Sequence, residues 1–294
     1  MNNIKITILG ADGYTCQIPR IKDGMIALGH ILTKDNPDII FSNDPRGYNE
    51  ALSIKEKYPN AYVIFNFLDI PWHMPNIEKQ TMMLTQKYFM KANAVTAISF
   101  KVKKDLEKFY KKEIHVIYNP IKDVHYNKNI KKNNMFLYVG RANDPIKRIK
   151  LVHDSLLNIN NEIKKIKICG SENPKFGNYL GVVKDDELNK LYNSSKYLCL
   201  PSKAEGIGLP MIEAMICGAI PITCNDNETA KEFSPVDFIC DPKAESIVKK
   251  ILDLEKDYDA KRGLALKFGE KYKTQFDKVN IARNIINIFY KEKK

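Results

Sequence analysis

No stretch of the 294 residues stays apolar long enough to cross a membrane, and no internal repeat is present. The first residues lack the cationic start and apolar core of a secretion signal, so a cytoplasmic protein is expected. Six cysteines, at 16, 169, 199, 217, 224 and 240, show no Cys-x-x-Cys spacing. That argues against a structural zinc, and their places in apolar segments point to buried free thiols. Acidic metal motifs are as scarce. The single Asp-x-Asp, Asp257-Tyr-Asp259, lies in a charged helical stretch and reads as solvated surface, so no metal site is expected. Negative charge is in deficit throughout: the net charge is +12, and residues 101–134, with ten lysines against four acids, carry half of it.

What is present is an alternation of short apolar runs with helical intervals. Runs at 4–9, 39–42, 61–67, 94–98, 115–118, 136–139, 165–169, 197–200, 220–223 and 238–240 predict an α/β protein whose parallel sheets are covered on both faces. The length suffices for two domains, each burying its own core. Composition shifts between Asn119-Pro-Ile-Lys-Asp and Lys131-Lys-Asn-Asn134, which places a boundary near residue 130. Residues 277–290 space their apolar side chains along one helical face.

The most informative segment is Pro201-Ser-Lys-Ala-Glu-Gly-Ile-Gly-Leu-Pro-Met-Ile-Glu213. Two carboxylates, Glu205 and Glu213, flank a Gly-x-Gly-Leu-Pro turn. Pro210 suits the first position of a helix over about 211–217, whose free N–H groups then point into the turn 206–208 and favour an anion there. Glu213 falls on the first helical turn, able to accept hydrogen bonds from sugar hydroxyls, and Glu205 stands in the loop. Each acid also has a plainer reading, as a loop acid and as a charge favoured at a helix N-terminus. Upstream, the run 136–139 ends in Gly140-Arg141, with Lys147 six positions on. An arginine at a strand end can fork onto phosphate oxygens, and a lysine adds a compact charge.

Taken in order, Val139-Gly-Arg141, Lys147, Ile168-Cys-Gly170, Gly181-Val-Val183 and Pro-Ser…Glu-Gly-x-Gly-Leu-Pro-x-x-Glu-Ala-Met-x-x-Gly-x-x-Pro form a pattern that resembles family four retaining glycosyltransferases of the GT-B fold. The resemblance is firm over 135–232 and weaker over 93–123, and it thins elsewhere. It implies two Rossmann-like domains with parallel sheets facing across a donor/acceptor cleft. Residues 1–130 would bind the acceptor, 131–275 the nucleotide sugar, and a helix over 276–294 would cross back to the first domain. The implied reaction moves a hexose from a nucleoside-diphosphate sugar to a hydroxyl of a glycan, lipid or lipid-linked saccharide, with retention at the anomeric carbon. The nucleotide sugar is the co-substrate; no cofactor is implied, and Arg141 with Lys147 would neutralise the diphosphate in place of a metal.

By the same resemblance Glu213 would bind the ribose hydroxyls and Glu205 would face the transferred sugar. The backbone of Gly206, Ile207, Gly208 and Leu209 would meet phosphate or sugar, and Val183 would lie by the base. His73, in Phe65-Asn-Phe-Leu-Asp-Ile-Pro-Trp-His73, matches a histidine that lines the sugar pocket in many relatives. Gly13, after the first strand, is the candidate for close backbone approach, its other reading being an ordinary strand-to-helix turn. Two departures stand out, the first being that Gly10-Ala-Asp-Gly13-Tyr14 is shorter than the Gly-rich loop that lies over the donor phosphates in the family. Relatives carry a Gly-Gly pair where this chain reads Cys224-Asn-Asp-Asn227, so the turn must use Asn, and the role of Glu232 stays open.

The acceptor is less legible. Val102, Leu106, Phe109 and Tyr110 form a helical stripe, with Lys101, Lys103, Lys104, Lys108, Lys111 and Lys112 around it. Two readings follow: an ordinary helix packed on the first sheet, or a face for an anionic acceptor, either a membrane lipid at the inner membrane face or a nucleic acid. A glycosyltransferase acting on hydroxylated DNA bases and a non-catalytic nucleotide- or nucleic-acid-binding protein therefore remain open alternatives.

Overall fold

The computed structural model describes residues 3–10, 17–68, 88–108, 110–133, 136–159 and 165–292. Two compact units divide the chain, one made of Met1–Pro120 with Gln275–Lys294 and the other of Ile121–Thr274.

The first unit is built on a parallel sheet of β1 (Lys5–Leu9), β2 (Ile31–Leu32), β3 (Ile39–Ser42), β4 (Tyr62–Phe67), β5 (Ala94–Ala97) and β6 (Ile114–Val116), in the order β2-β1-β3-β4-β5-β6. Every residue of β3, β4 and β5 is buried, as it must be where helices cover both faces of a parallel sheet. The core beneath β1 and β3 joins Ile6, Ile8, Ile18, Ile21, Met25 and Phe41 to Ile281, Ile285 and Phe289 of the helix Lys278–Glu292. That helix lies so close to the helix Ile18–Ala27 that a Cβ on Gly24 would stand 2.2 Å from the Lys278 carbonyl oxygen. A buried polar ladder ties three strands together: Asn66 donates to Asn43 at 2.8 Å, and Thr96 donates to Asn66 at 2.7 Å.

In the second unit β7 (Phe136–Val139), β8 (Lys167–Cys169), β9 (Asn178–Gly181), β10 (Tyr197–Leu200), β11 (Ile220–Cys224) and β12 (Ile239–Cys240) form a parallel sheet ordered β12-β11-β10-β7-β8-β9. Strand order reverses between β7 and β10, and crevices at such reversals, outside the carboxyl ends of the strands, are where doubly wound sheets bind ligands.

Three expectations need correction. The boundary lies at 120/121 and not near 130, because the segment 121–133 is hydrogen-bonded to the second unit. His125 N donates to Asn189 Oδ1 at 3.0 Å, Asn127 N to Asn193 Oδ1 at 2.7 Å, and Asn133 N to the Ser194 carbonyl at 3.0 Å. Two edge strands, β2 and β9, went unrecognised: one has two residues and the other, Asn-Tyr-Leu-Gly, has little apolar content to announce it. The amphipathic stripe at 101–112 is shorter than its pattern suggests. A helix covers only Phe100–Leu106, with Val102 and Leu106 buried on the sheet. Tyr110 is buried too, its ring stacked on Phe89 at 4.2 Å and its hydroxyl donating to the Phe89 carbonyl. Phe109 lies outside the described residues.

Candidate functional site

Loops after β7 and β10 meet at the reversal point. Residues 140–148 follow β7 and residues 201–208 follow β10, and Lys147 Nζ lies 2.7 Å from Glu205 Oε1. Both side chains are largely covered, at 15% and 12% exposure. Each loop is fastened locally. Asp144 accepts from Ile146 N at 3.0 Å, starting the short turn Pro145–Lys147, and Lys203 N donates to the Ile146 carbonyl at 2.8 Å, joining the two loops. Thr229 Oγ1 donates to the Glu205 carbonyl at 2.6 Å, fixing the backbone beneath the acid.

Arg141 points outward, 65% exposed, with one guanidinium nitrogen 2.7 Å from Asp144 Oδ2. Burial alone would raise the Asp144 carboxyl, but hydrogen bonds from Arg141 and from the Ile146 N–H outweigh it and hold it below the usual range. Tyr138, the third residue of β7, donates to the Arg141 carbonyl at 3.3 Å. Its phenol is held neutral far into the alkaline range by burial, then by the Glu205 and Asp144 carboxylates.

The helix after the Gly-x-Gly turn spans Leu209–Ile216 and not 211–217. Gly208 takes a left-handed conformation, φ 78° and ψ 49°, that glycine adopts without penalty, and it turns the chain into the helix at Leu209, one residue before Pro210. Pro210 thus sits at the second helical position. Met211 N already bonds the Gly208 carbonyl at 2.8 Å.

Because the helix starts early, Glu213 lies a full turn inside it and is 3% exposed. Tyr192 Oη donates to its Oε2 at 2.9 Å and Lys122 N to its Oε1 at 3.1 Å. The first-turn placement is therefore corrected: the carboxylate is clasped by a tyrosine and by the backbone of the 121–133 strap. Burial and the Glu213 carboxylate drive the Tyr192 phenol well above its ordinary range, so it stays a donor. Lys122 Nζ in turn pairs with Asp185 Oδ1 at 2.6 Å. Lys132 closes the strap by donating to the Tyr192 and Cys217 carbonyls, each at 3.1 Å, so its ammonium sits at the negative ends of two helices.

Of the remaining sequence-derived candidates, Ile207 and Gly208 are buried, Gly206 and Leu209 half-buried, and Val183, after β9, is 8% exposed. Gly13 and His73 lie outside the described residues. Asn227, in the following turn, has an extended backbone, φ −100° and ψ 103°, and its side chain caps the helix Glu228–Phe233 by accepting from Thr229 N and Ala230 N. Asp226 beside it forks onto Arg148. Among the described residues no group of three or more His, Cys, Asp or Glu is placed to hold a metal, and no helix is long and apolar enough to cross a membrane. Cys169, Cys199, Cys217, Cys224 and Cys240 are free and buried, and Cys16 lies outside the described residues.

Sequence reasoning missed Tyr192, Lys122, Lys132 and the Asn189/Asn193 pair. A signal existed for the last: two asparagines four apart on one helix face, Asp185–Ser194, are costly for helix formation unless their amides are used elsewhere.

Fold and site together define a two-unit α/β protein of the GT-B type with a charged constellation at the switch point of its second sheet. Residues 121–275 match the family model of glycosyl transferases group 1, and the chain belongs to that family. Over 113 residues it is 34% identical to the O-antigen chain mannosyltransferase B of Escherichia coli, a match that covers 38% of this chain and 29% of that protein. The chain thus spans under a third of the length of this relative. Among solved structures, HepE of Anabaena in complex with UDP and glucose superposes with a TM-score of 0.79 at 14% identity, covering 98% of this chain and 100% of that one. Sucrose-phosphate synthase of Thermosynechococcus elongatus gives 0.73 at 14%, covering 98% and 99%.

Proposed function

We propose that this protein transfers a hexose from a nucleoside-diphosphate sugar to a hydroxyl of a glycan or lipid-linked saccharide, with retention and without a metal ion. The observation that carries the reading is the Lys147–Glu205 pair at the β7/β10 switch point, beside the N-terminus of the helix Leu209–Ile216. An ammonium and the positive end of a helix suit a diphosphate, and a carboxylate in the same loops suits sugar hydroxyls. Lys147 and that helix end would stabilise charge growing on the departing diphosphate, and Arg141 would leave Asp144 to join them. Glu213, held by Tyr192 and Lys122, would accept from the ribose hydroxyls. Support from relatives is of the same kind: one is named a mannosyltransferase, and another was solved with UDP and glucose.

An anionic, lipid-borne acceptor is the partner we assign to the basic face. Lys104, Lys111 and Lys112 are exposed there, and Phe100 is 59% exposed at the start of its helix.

The test is a metal-free thermal-shift panel of UDP, GDP, ADP and CMP with their sugar conjugates. A ligand at about a hundredfold over its Kd adds ~2.7 kcal/mol. A nucleotide-selective shift that Glu213→Ala weakens, together with transfer activity that Arg141→Ala removes, is the expected outcome. Full activity in both variants would overturn the site.

A further inference from the structure

Two thiols that the proposed reaction leaves unused lie side by side at the carboxyl ends of β11 and β12. The parallel register pairs Cys224 with Cys240 directly. Adjacent strands run about 4.8 Å apart and registered residues project to the same face. A disulfide needs Cα atoms roughly 4.4–6.8 Å apart, so this backbone already meets the requirement. Cys240 Sγ donates to the carbonyl of Thr223, the residue before Cys224, at 3.4 Å, and Cys240 is the first influence on the Cys224 thiol.

The two sulfurs are not equivalent. Cys224 is fully buried, whereas Cys240 is 9% exposed beside the exposed Asn225 and Asp241. The bond from Cys224 favours the Cys240 thiolate, burial opposes it, and Lys250 adds to it, leaving Cys240 below the ordinary thiol range. Cys224 is pushed far above that range, first by its bond to Cys240, then by burial, with Arg148 and Asp226 the charged groups nearest it. One sulfur is thus the less buried, more acidic thiol, and the other a protonated partner beside it. By contrast Cys169, Cys199 and Cys217 are each raised to about 12, chiefly by burial.

We propose that Cys224 and Cys240 form an oxidisable dithiol, a modification site at which a hydroperoxide closes the pair to an interstrand disulfide. The Cys240 thiolate attacks one peroxide oxygen; the O–O bond breaks and the departing hydroxide takes up a proton as water, leaving a sulfenic acid on Cys240. Cys224 sulfur then attacks Cys240 sulfur and the S–O bond breaks. The hydroxide released carries off the Cys224 proton as a second water. Two electrons pass from the sulfurs to the peroxide, and a dithiol reductant reverses the change. The bridge would sit directly before the loop in which Asn227 N bonds the Cys224 carbonyl at 3.1 Å and Asp226 holds Arg148.

Wild-type protein is treated with hydrogen peroxide, unreacted thiols are alkylated under denaturing conditions, and the peptides are mapped by mass spectrometry. The expected result is a peptide linking residues 224 and 240, formed before Cys169, Cys199 or Cys217 is modified and lost on treatment with dithiothreitol. In Cys224→Ser, which lacks the resolving thiol, dimedone should trap a sulfenic acid on Cys240. In Cys240→Ser, Cys224 should stay reduced. Alkylation of both thiols after peroxide, or oxidation of the three other buried cysteines at the same rate, overturns the proposal. None of these readouts depends on sugar transfer.

Discussion

Replacing Lys147 with methionine keeps most of the side-chain volume and removes one charge, leaving the Glu205 carboxylate without the ammonium 2.7 Å away. Breaking a fully buried ion pair costs ~3–5 kcal/mol, and an exposed one ~0–1. With exposures of 15% and 12% this pair lies nearer the buried limit, which gives about 2–3 kcal/mol for Lys147→Met. Glu205→Gln should cost ~1–2 kcal/mol, because the amide oxygen still accepts from Lys147 while the charge is lost. The double variant Lys147→Met/Glu205→Gln leaves no unpaired charge, so its cost should fall short of the sum by ~1.5–2 kcal/mol. Urea denaturation at pH 7 of the four proteins closes the cycle. Costs that add within ~0.5 kcal/mol would show that the two side chains do not stabilise each other and would remove the physical basis of the site. The coupling should also survive 1 M salt, since screening acts weakly on covered charges.

Tyr192→Phe takes one donor from the Glu213 carboxylate; we expect ~1–3 kcal/mol lost in chemical denaturation and weaker nucleotide binding by isothermal titration, with turnover at saturating donor little changed. Burial, then Arg262, pushes the Lys132 ammonium down to about 7, with Cys217 opposing, whereas an unfolded lysine titrates near ~10.4. Between those values the unfolded chain binds the extra proton, so Lys132 contributes stability that is fully present above the upper value and lost as pH falls toward 7. Lys132→Met should flatten that slope in denaturation curves taken from pH 7 to 10. Gly24→Ala would press a methyl against the Lys278 carbonyl at 2.2 Å, costing ~2–3 kcal/mol and lowering the melting temperature of the first unit.

Both sheets were legible in the sequence because their central strands are dominated by apolar residues, as in Tyr62–Phe67, interrupted only by Asn66, and Tyr197–Leu200. The loops after β7 and β10 were legible because glycine and proline punctuate them and the charges sit at fixed offsets. What the sequence did not yield was tertiary in origin. The early start of the helix Leu209–Ile216 depends on Gly208 turning left-handed, and a displacement of two residues, about half a turn, moves Glu213 from the expected first turn into the helix, where it is clasped and buried. The Lys-rich stretch 121–133 reads as a solvated linker by composition, yet its backbone donors are spent on Asn189, Asn193 and Glu213. Likewise the stripe at 101–112 is not one continuous helical face: Asp105 pairs with Lys101 and Lys108 while Val102 and Leu106 pack inward, an arrangement that composition does not reveal.

The first unit is discontinuous: Ile281, Ile285 and Phe289 fill a core begun by Ile6 and Ile8, while the second unit draws only on Ile121–Thr274. During synthesis, β1 to β6 emerge first and then wait for some 170 residues to follow, on the order of ten to thirty seconds at ordinary elongation rates. The second unit can close its core within that interval. Order of folding therefore runs against order in the chain, and the apolar face on β1, β3 and the helix Ile18–Ala27 is the surface a nascent-chain chaperone would meet.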